Sequence, residues 1–76
     1  MKINTIIKKL TAAGLNCKEV QIYNPEKRGI MVYHNYDGIY PTEEACRAHE
    51  RATAIARKCK AYSEPRGHYT ATLIIA

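Results

Sequence analysis

The chain has 76 residues, enough for one domain in which only about 60% of the unfolded surface can be buried, with no room for a second domain or a deep active-site cavity. Hydrophobic residues make up 46% of it, too many for a disordered chain, and with Trp and Phe absent the six tyrosines are its only large aromatics. Twelve Lys and Arg against seven Asp and Glu give a net charge of +5, which favours acidic partners over basic ones.

Cys17, Cys46 and Cys59 are an odd number with no CxxC pair, which argues against a secreted disulfide framework and for a reducing cytoplasm. Lys2 is the only charge ahead of a short apolar stretch broken by Lys8 and Lys9. No apolar run approaches the roughly 18 residues of a membrane span, so neither a targeting signal nor a membrane partner is expected.

In chain order, Ile3, Ile6, Ile7, Leu10 and Ala13 recur at the spacing of one helical face. Asn4 or Thr5 can cap this helix, and Gly14 followed by Leu15 marks its end, the glycine left-handed and the leucine folded back on the stripe. Residues 17–23 alternate as a strand, with Val20 and Ile22 on one face and Glu19, Gln21 and Tyr23 on the other. Asn24-Pro25-Glu26-Lys27-Arg28-Gly29 has the composition of a turn.

Residues 30–36 form the second strand of an antiparallel hairpin, with Ile30, Val32 and His34 on one face and Met31, Tyr33 and Asn35 on the other. Asp37-Gly38 is a tight turn, and Ile39-Tyr40 a stub of strand before Pro41. A helix over residues 42–62 follows, capped by Thr42, with Glu43 and Glu44 in its first turn and Arg57, Lys58 and Lys60 toward its end, as the helix dipole favours. Ser63-Glu64-Pro65-Arg66-Gly67 ends it, and residues 68–76 alternate as a last strand, Tyr69, Ala71, Leu73 and Ile75 against Thr70, Thr72 and Ile74.

These elements predict a two-layer α+β fold over residues 1–76, two helices on one face of a small antiparallel sheet in the order α-β-β-(short β)-α-β. Helix, hairpin, stub and helix resemble the element order of a double-stranded RNA-binding domain, with Thr42-Glu43-Glu44-Ala45 where such a domain begins its second helix. The same order is similar to a ferredoxin-like fold without its first strand. Glu43 and Glu44 stand where the RNA-binding family has cations, and the last strand is an addition to it.

In the long helix Ala45, Ala48, Ala52, Ile55, Ala56, Cys59 and Tyr62 fall on one stripe, small enough for close packing. Arg47, Arg51, Arg57 and Lys58 lie opposite or flanking it. They make a candidate docking face for phosphate or carboxylate, reinforced by Lys27, Arg28 and Arg66, or a solvated face laced with pairs such as Glu43 to Arg47.

Chemistry is sparse. Cys46 and His49 are spaced i, i+3 and could chelate a metal, but Cys59 joins the core stripe and Cys17 has no ligand near it in sequence. The same pair lacks the third group that nucleophilic catalysis needs. The glycines are isolated turn punctuation, none forming a phosphate loop. No catalytic residue, metal or cofactor is expected.

The sheet face away from the helices carries the better signal, since Tyr23, Met31 and Tyr33 should project from it, joined by Ile74 if the register allows. The expected function is a small basic interaction module that covers an acidic protein or nucleoprotein, as an inhibitor or adaptor. Phage-encoded anti-defence proteins are similar in size and in lack of chemistry. The alternative is RNA or DNA binding, with the basic side chains on phosphate and Tyr23 and Tyr33 stacked on bases. A homodimer could form if the apolar last strand lies at a sheet edge.

Overall fold

The computed structural model describes residues 2–22, 28–34 and 42–75. Its elements are α1 (Lys2–Ala12), β1 (Asn16–Gln21), β2 (Arg28–Tyr33), α2 (Glu43–Lys58), β3 (Tyr62–Arg66) and β4 (Ala71–Ile75). The four strands form one antiparallel sheet in the order β1-β2-β4-β3. One face carries both helices, α1 over β1 and β2, α2 over β3 and β4. The predicted α+β class and helix layer are what the structure has, with four strands among the described residues. The stub at Ile39-Tyr40 lies outside them.

The first helix closes as its sequence dictates. Gly14 takes φ +83, its N–H bonds to the Thr11 carbonyl at 3.0 Å, and the Leu15 N–H reaches back to the Leu10 carbonyl at 3.0 Å. Those two bonds satisfy carbonyls the helix would leave open and bring Leu15 onto the core. In α2, Thr42 Oγ1 accepts from the Ala45 N–H at 3.0 Å, the expected cap.

The end of α2 differs from expectation. The helix stops at Lys58 with Cys59 as its cap, four residues before Tyr62. The Lys60 N–H bonds to the Arg57 carbonyl and the Ala61 N–H to the Ala56 carbonyl, the same closure as in α1, with Lys60 at φ +59 where α1 has glycine. Tyr62 therefore leaves the packing stripe and opens β3, 60% exposed. Tyr62, expected in the helix, and Ser63 to Arg66, expected with Gly67 to be the segment that ends it, form an edge strand paired with β4. Pro65 is tolerated there because one side of β3 needs no ladder bonds.

Between β3 and β4 the chain turns through His68 at φ +55 and Tyr69 at φ +69, with the Thr70 N–H bonded to the Gly67 carbonyl at 3.0 Å. Positive φ at both central residues is the type I′ pattern that matches hairpin twist, ordinarily filled by Asn-Gly. Gly67 itself has φ +54, and a Cβ there would lie 2.5 Å from Thr70 Oγ1, so a side chain would have to displace that hydroxyl as well as accept the backbone strain.

The core lies between the layers. Ile6 and Leu10 of α1, Ile30 and Val32 of β2, Ile74 of β4 and Ala52 and Ala56 of α2 are fully buried, with Ala48, Ile55 and Cys59 packed against them. The alanine stripe is the packing surface that its phase predicts, and Ala45 is buried with it. Ile74 opposes Ile30 and belongs to this core, not to the open face. β4 sits inside the sheet, paired on both sides, so it offers no edge to a second copy.

Candidate functional site

Residues directly opposed in an antiparallel pair share a face, so the register sorts every strand residue once the core is known. Ile30, Val32, Thr72 and Ile74 face the helices, and their partners Cys17, Glu19, Ser63 and Pro65 do too. The open face is then three rows: Asn16, Tyr33, Ala71 and Arg66; Lys18, Met31, Leu73 and Glu64; Val20, Gly29, Ile75 and Tyr62. Met31 and Tyr33 thus project away from the helices, as their alternation predicts. Val20 does so as well, against expectation, because Cys17 and not Val20 supplies the helix-side apolar group of β1.

Val20, Ile22, Met31 and Leu73, with Gln21 and Arg66, line a hollow of about 400 Å³ on this face. Ile22 reaches the hollow across Gly29, where an added Cβ would lie 2.7 Å from its Cδ1. Leu73 is only 2% exposed although no helix covers it. Its neighbours in the hollow are Met31 and Arg66, whose long stems shield apolar surface while the charged head stays wet. The Arg66 guanidinium is held by Glu64 at 3.1 Å.

The predicted basic residues that the structure describes do not all converge on one face. Arg28 shares the helix-side face with Glu19 and pairs with it at 3.2 Å, away from Met31 and Tyr33. Arg47 pairs with Glu43 at 2.6 Å across one helical turn. Arg51 donates to the Ala13 carbonyl at 3.2 Å, placing a cation on the C-terminal end of α1. At about 100° per residue, Arg47, Arg51 and Lys58 fall in one strip of α2 toward α1, while Arg57 lies about 100° from that strip. Arg57 lines a shallow hollow of about 250 Å³ with His49, Glu50, Thr53 and Ala54. Arg57 and Lys58 are exposed and unpaired among the described residues. Tyr23 and Lys27 lie outside the described residues.

Beside α2 the structure also assembles a polar cluster that no local spacing signals. Thr72 is fully buried, and its Oγ1 lies 2.7 Å from both His34 Nε2 and His49 Nδ1. A hydroxyl has one proton to give, so one imidazole must donate to it and the other accept. His34 Nδ1 is buried with no partner among the described residues, and an unused lone pair there costs less than an orphaned N–H. His34 therefore carries its proton on Nε2 and donates to Thr72, which donates to His49 Nδ1. The His49 Nε2–H is left facing Thr53 Oγ1 at 3.5 Å, itself 3.5 Å from Ser63 Oγ.

Burial, then the neighbouring His49, holds the His34 pKa below its ordinary value. Burial also lowers that of His49, partly opposed by Glu50. The Tyr69 ring leans on His49 with centroids 4.8 Å apart. Cys46, spaced i, i+3 from His49, takes no part in these hydrogen bonds, and among the described residues no three His, Cys, Asp or Glu side chains are grouped to hold a metal.

No helix among the described residues is long and apolar enough to cross a membrane. Comparison with known proteins finds no matching family, no similar characterised protein and no similar solved structure. The two strands after α2 also part from the element order of a double-stranded RNA-binding domain.

Proposed function

We propose that this protein is a small, basic, non-catalytic interaction module that covers the surface of an acidic protein partner, as an inhibitor or adaptor, with the open sheet face as its docking surface. The supporting observation is the apolar hollow of Val20, Ile22, Met31 and Leu73, flanked by Tyr33 at 37% exposure and Tyr62 at 60%. Apolar anchors ringed by Tyr and Arg are what interface cores are made of. The helix cations lie on the other side of a two-layer molecule whose Cα extents are 33 × 26 × 16 Å, so one flat partner cannot cover both faces.

Protein is favoured over nucleic acid by spacing. Tyr33 and Tyr62 are two strands and four residues apart, roughly 16 Å by strand geometry. Consecutive bases cannot stack on both, and the surface between them is Met31 over a buried Leu73. The net charge of +5 supplies long-range attraction for an acidic face.

The test is affinity capture from the source cell, with and without nuclease, using the natural chain and Met31→Glu. A partner protein retained after nuclease and lost with Met31→Glu supports the proposal. Capture that nuclease abolishes, with salt-dependent binding to labelled RNA or DNA, refutes it in favour of nucleic-acid binding. A partner unaffected by Met31→Glu refutes the assignment of the face.

A further inference from the structure

We infer that the hydrogen-bonded chain from His34 through Thr72 to His49 is an acid-sensitive latch that fastens α2 to the β2–β4 end of the sheet. It is separate from the proposed docking face, since Thr72 and its partners lie on the helix side. The chain ties together three stretches far apart in sequence, the residue after β2, the start of β4 and the first half of α2. His34 is further fixed by its backbone N–H, which donates to the Thr70 carbonyl at 2.9 Å.

The latch closes only when both rings are neutral. Its two 2.7 Å contacts use the single Thr72 proton toward His49 Nδ1 and a single His34 proton toward Thr72. A proton added at His49 Nδ1 turns that acceptor into a donor. Thr72 then receives two N–H groups, and its own buried proton has no acceptor. A proton added to His34 goes to Nδ1, the buried atom without a partner. Either route orphans a buried donor, and a second proton puts two like charges on rings whose centroids are 6.4 Å apart.

The neighbours do not rescue the charged form. Among the described residues, the ionisable groups acting on the two rings are the rings themselves and Glu50 of α2, with Arg57 of α2 lining the same hollow as His49. β3 offers only Ser63 and Pro65 on this face, and β4 only Thr72 and Ile74. Glu50 and the Tyr69 ring favour a charged His49, and burial outweighs Glu50. The direction of the effect follows. A histidine held below its ordinary value binds fewer protons folded than unfolded, so stability is full above that value and falls as pH drops through the folded one.

The experiment is urea unfolding of the full chain at pH 7.5 and 5.5, with ring titrations of His34 and His49 by NMR. The unfolding constant should rise with acid, about tenfold for each unit by which either pKa is held down within that interval. The double variant His34→Gln/His49→Asn keeps a donor and an acceptor at the two Thr72 contacts while removing both titrations, and its stability should be level across the interval. A natural chain equally stable at both pH values, or a double variant with undiminished pH dependence, overturns the latch. Should the double variant not fold, the ring titrations decide: both below the ordinary value supports the inference, and either at or above it refutes it.

Discussion

The two helices end in the same hydrogen-bond pattern with different residues at the left-handed position, Gly14 in one and Lys60 in the other, and this permits a paired test. A residue with a Cβ pays about 1–2 kcal/mol in that conformation, while glycine loses about 0.4–1 kcal/mol of extra unfolded-state freedom. A Cβ on Gly14 meets nothing within 4 Å, so Gly14→Ala isolates the backbone term and should destabilise by about 0.8 kcal/mol. Lys60→Gly gains the reverse, less about 0.3 kcal/mol for a cation lost from a helix C-terminus, a net stabilisation of about 0.5 kcal/mol. For a domain of this size those values shift Tm by about −3 to −6 °C and +2 to +4 °C. Urea midpoints at constant m are the assay, with Lys60→Ala as the control that removes charge and keeps the strain. If Lys60→Gly lowers the midpoint, or Lys60→Ala raises it equally, strain at Lys60 is not limiting and the reasoning fails.

Other perturbations separate structural from functional charges. Thr42→Ala should cost about 1 kcal/mol in the same assay, because it removes the Thr42 Oγ1 to Ala45 N–H bond. Arg51→Glu should destabilise the fold through the Ala13 carbonyl. Arg57→Glu with Lys58→Glu breaks no ion pair among the described residues and should cost about 1 kcal/mol, from reversing two charges at the C-terminal end of α2. That double variant should slow association with an acidic partner several-fold at low salt and little at high salt, leaving dissociation unchanged. Stopped-flow or surface binding kinetics would show it, and a changed dissociation rate would move the docking face to α2.

Much of the fold is legible in the chain because its signals are local. The α1 stripe, the Gly14-Leu15 closure, the Thr42 cap and the alternation of β2 each occupy a few adjacent residues. The end of α2 and the whole of β3 are not, for one shared reason: special backbone positions are held by unexpected residues. Lys60 takes a left-handed φ without glycine, Pro65 sits in an edge strand, and His68-Tyr69 makes a turn that usually announces itself as Asn-Gly. Val20 was misleading because β1 is an edge strand, where Glu19 can face the helices while remaining exposed and paired with Arg28. The dispersal of the basic residues and the meeting of His34, Thr72 and His49 depend on register and helix placement, which no window of neighbouring residues contains.

The position of β4 has a kinetic consequence. It follows the other strands in chain order yet lies between β2 and β3, so the β1–β2 hairpin and β3 share no partner until it is in place. Once β4 leaves, β3 has no strand partner and β2 keeps only β1. The amide hydrogens bonded in the two ladders that β4 makes with β2 and β3 should therefore exchange with solvent at one common rate, set by release of β4, rather than in tiers from the edges inward.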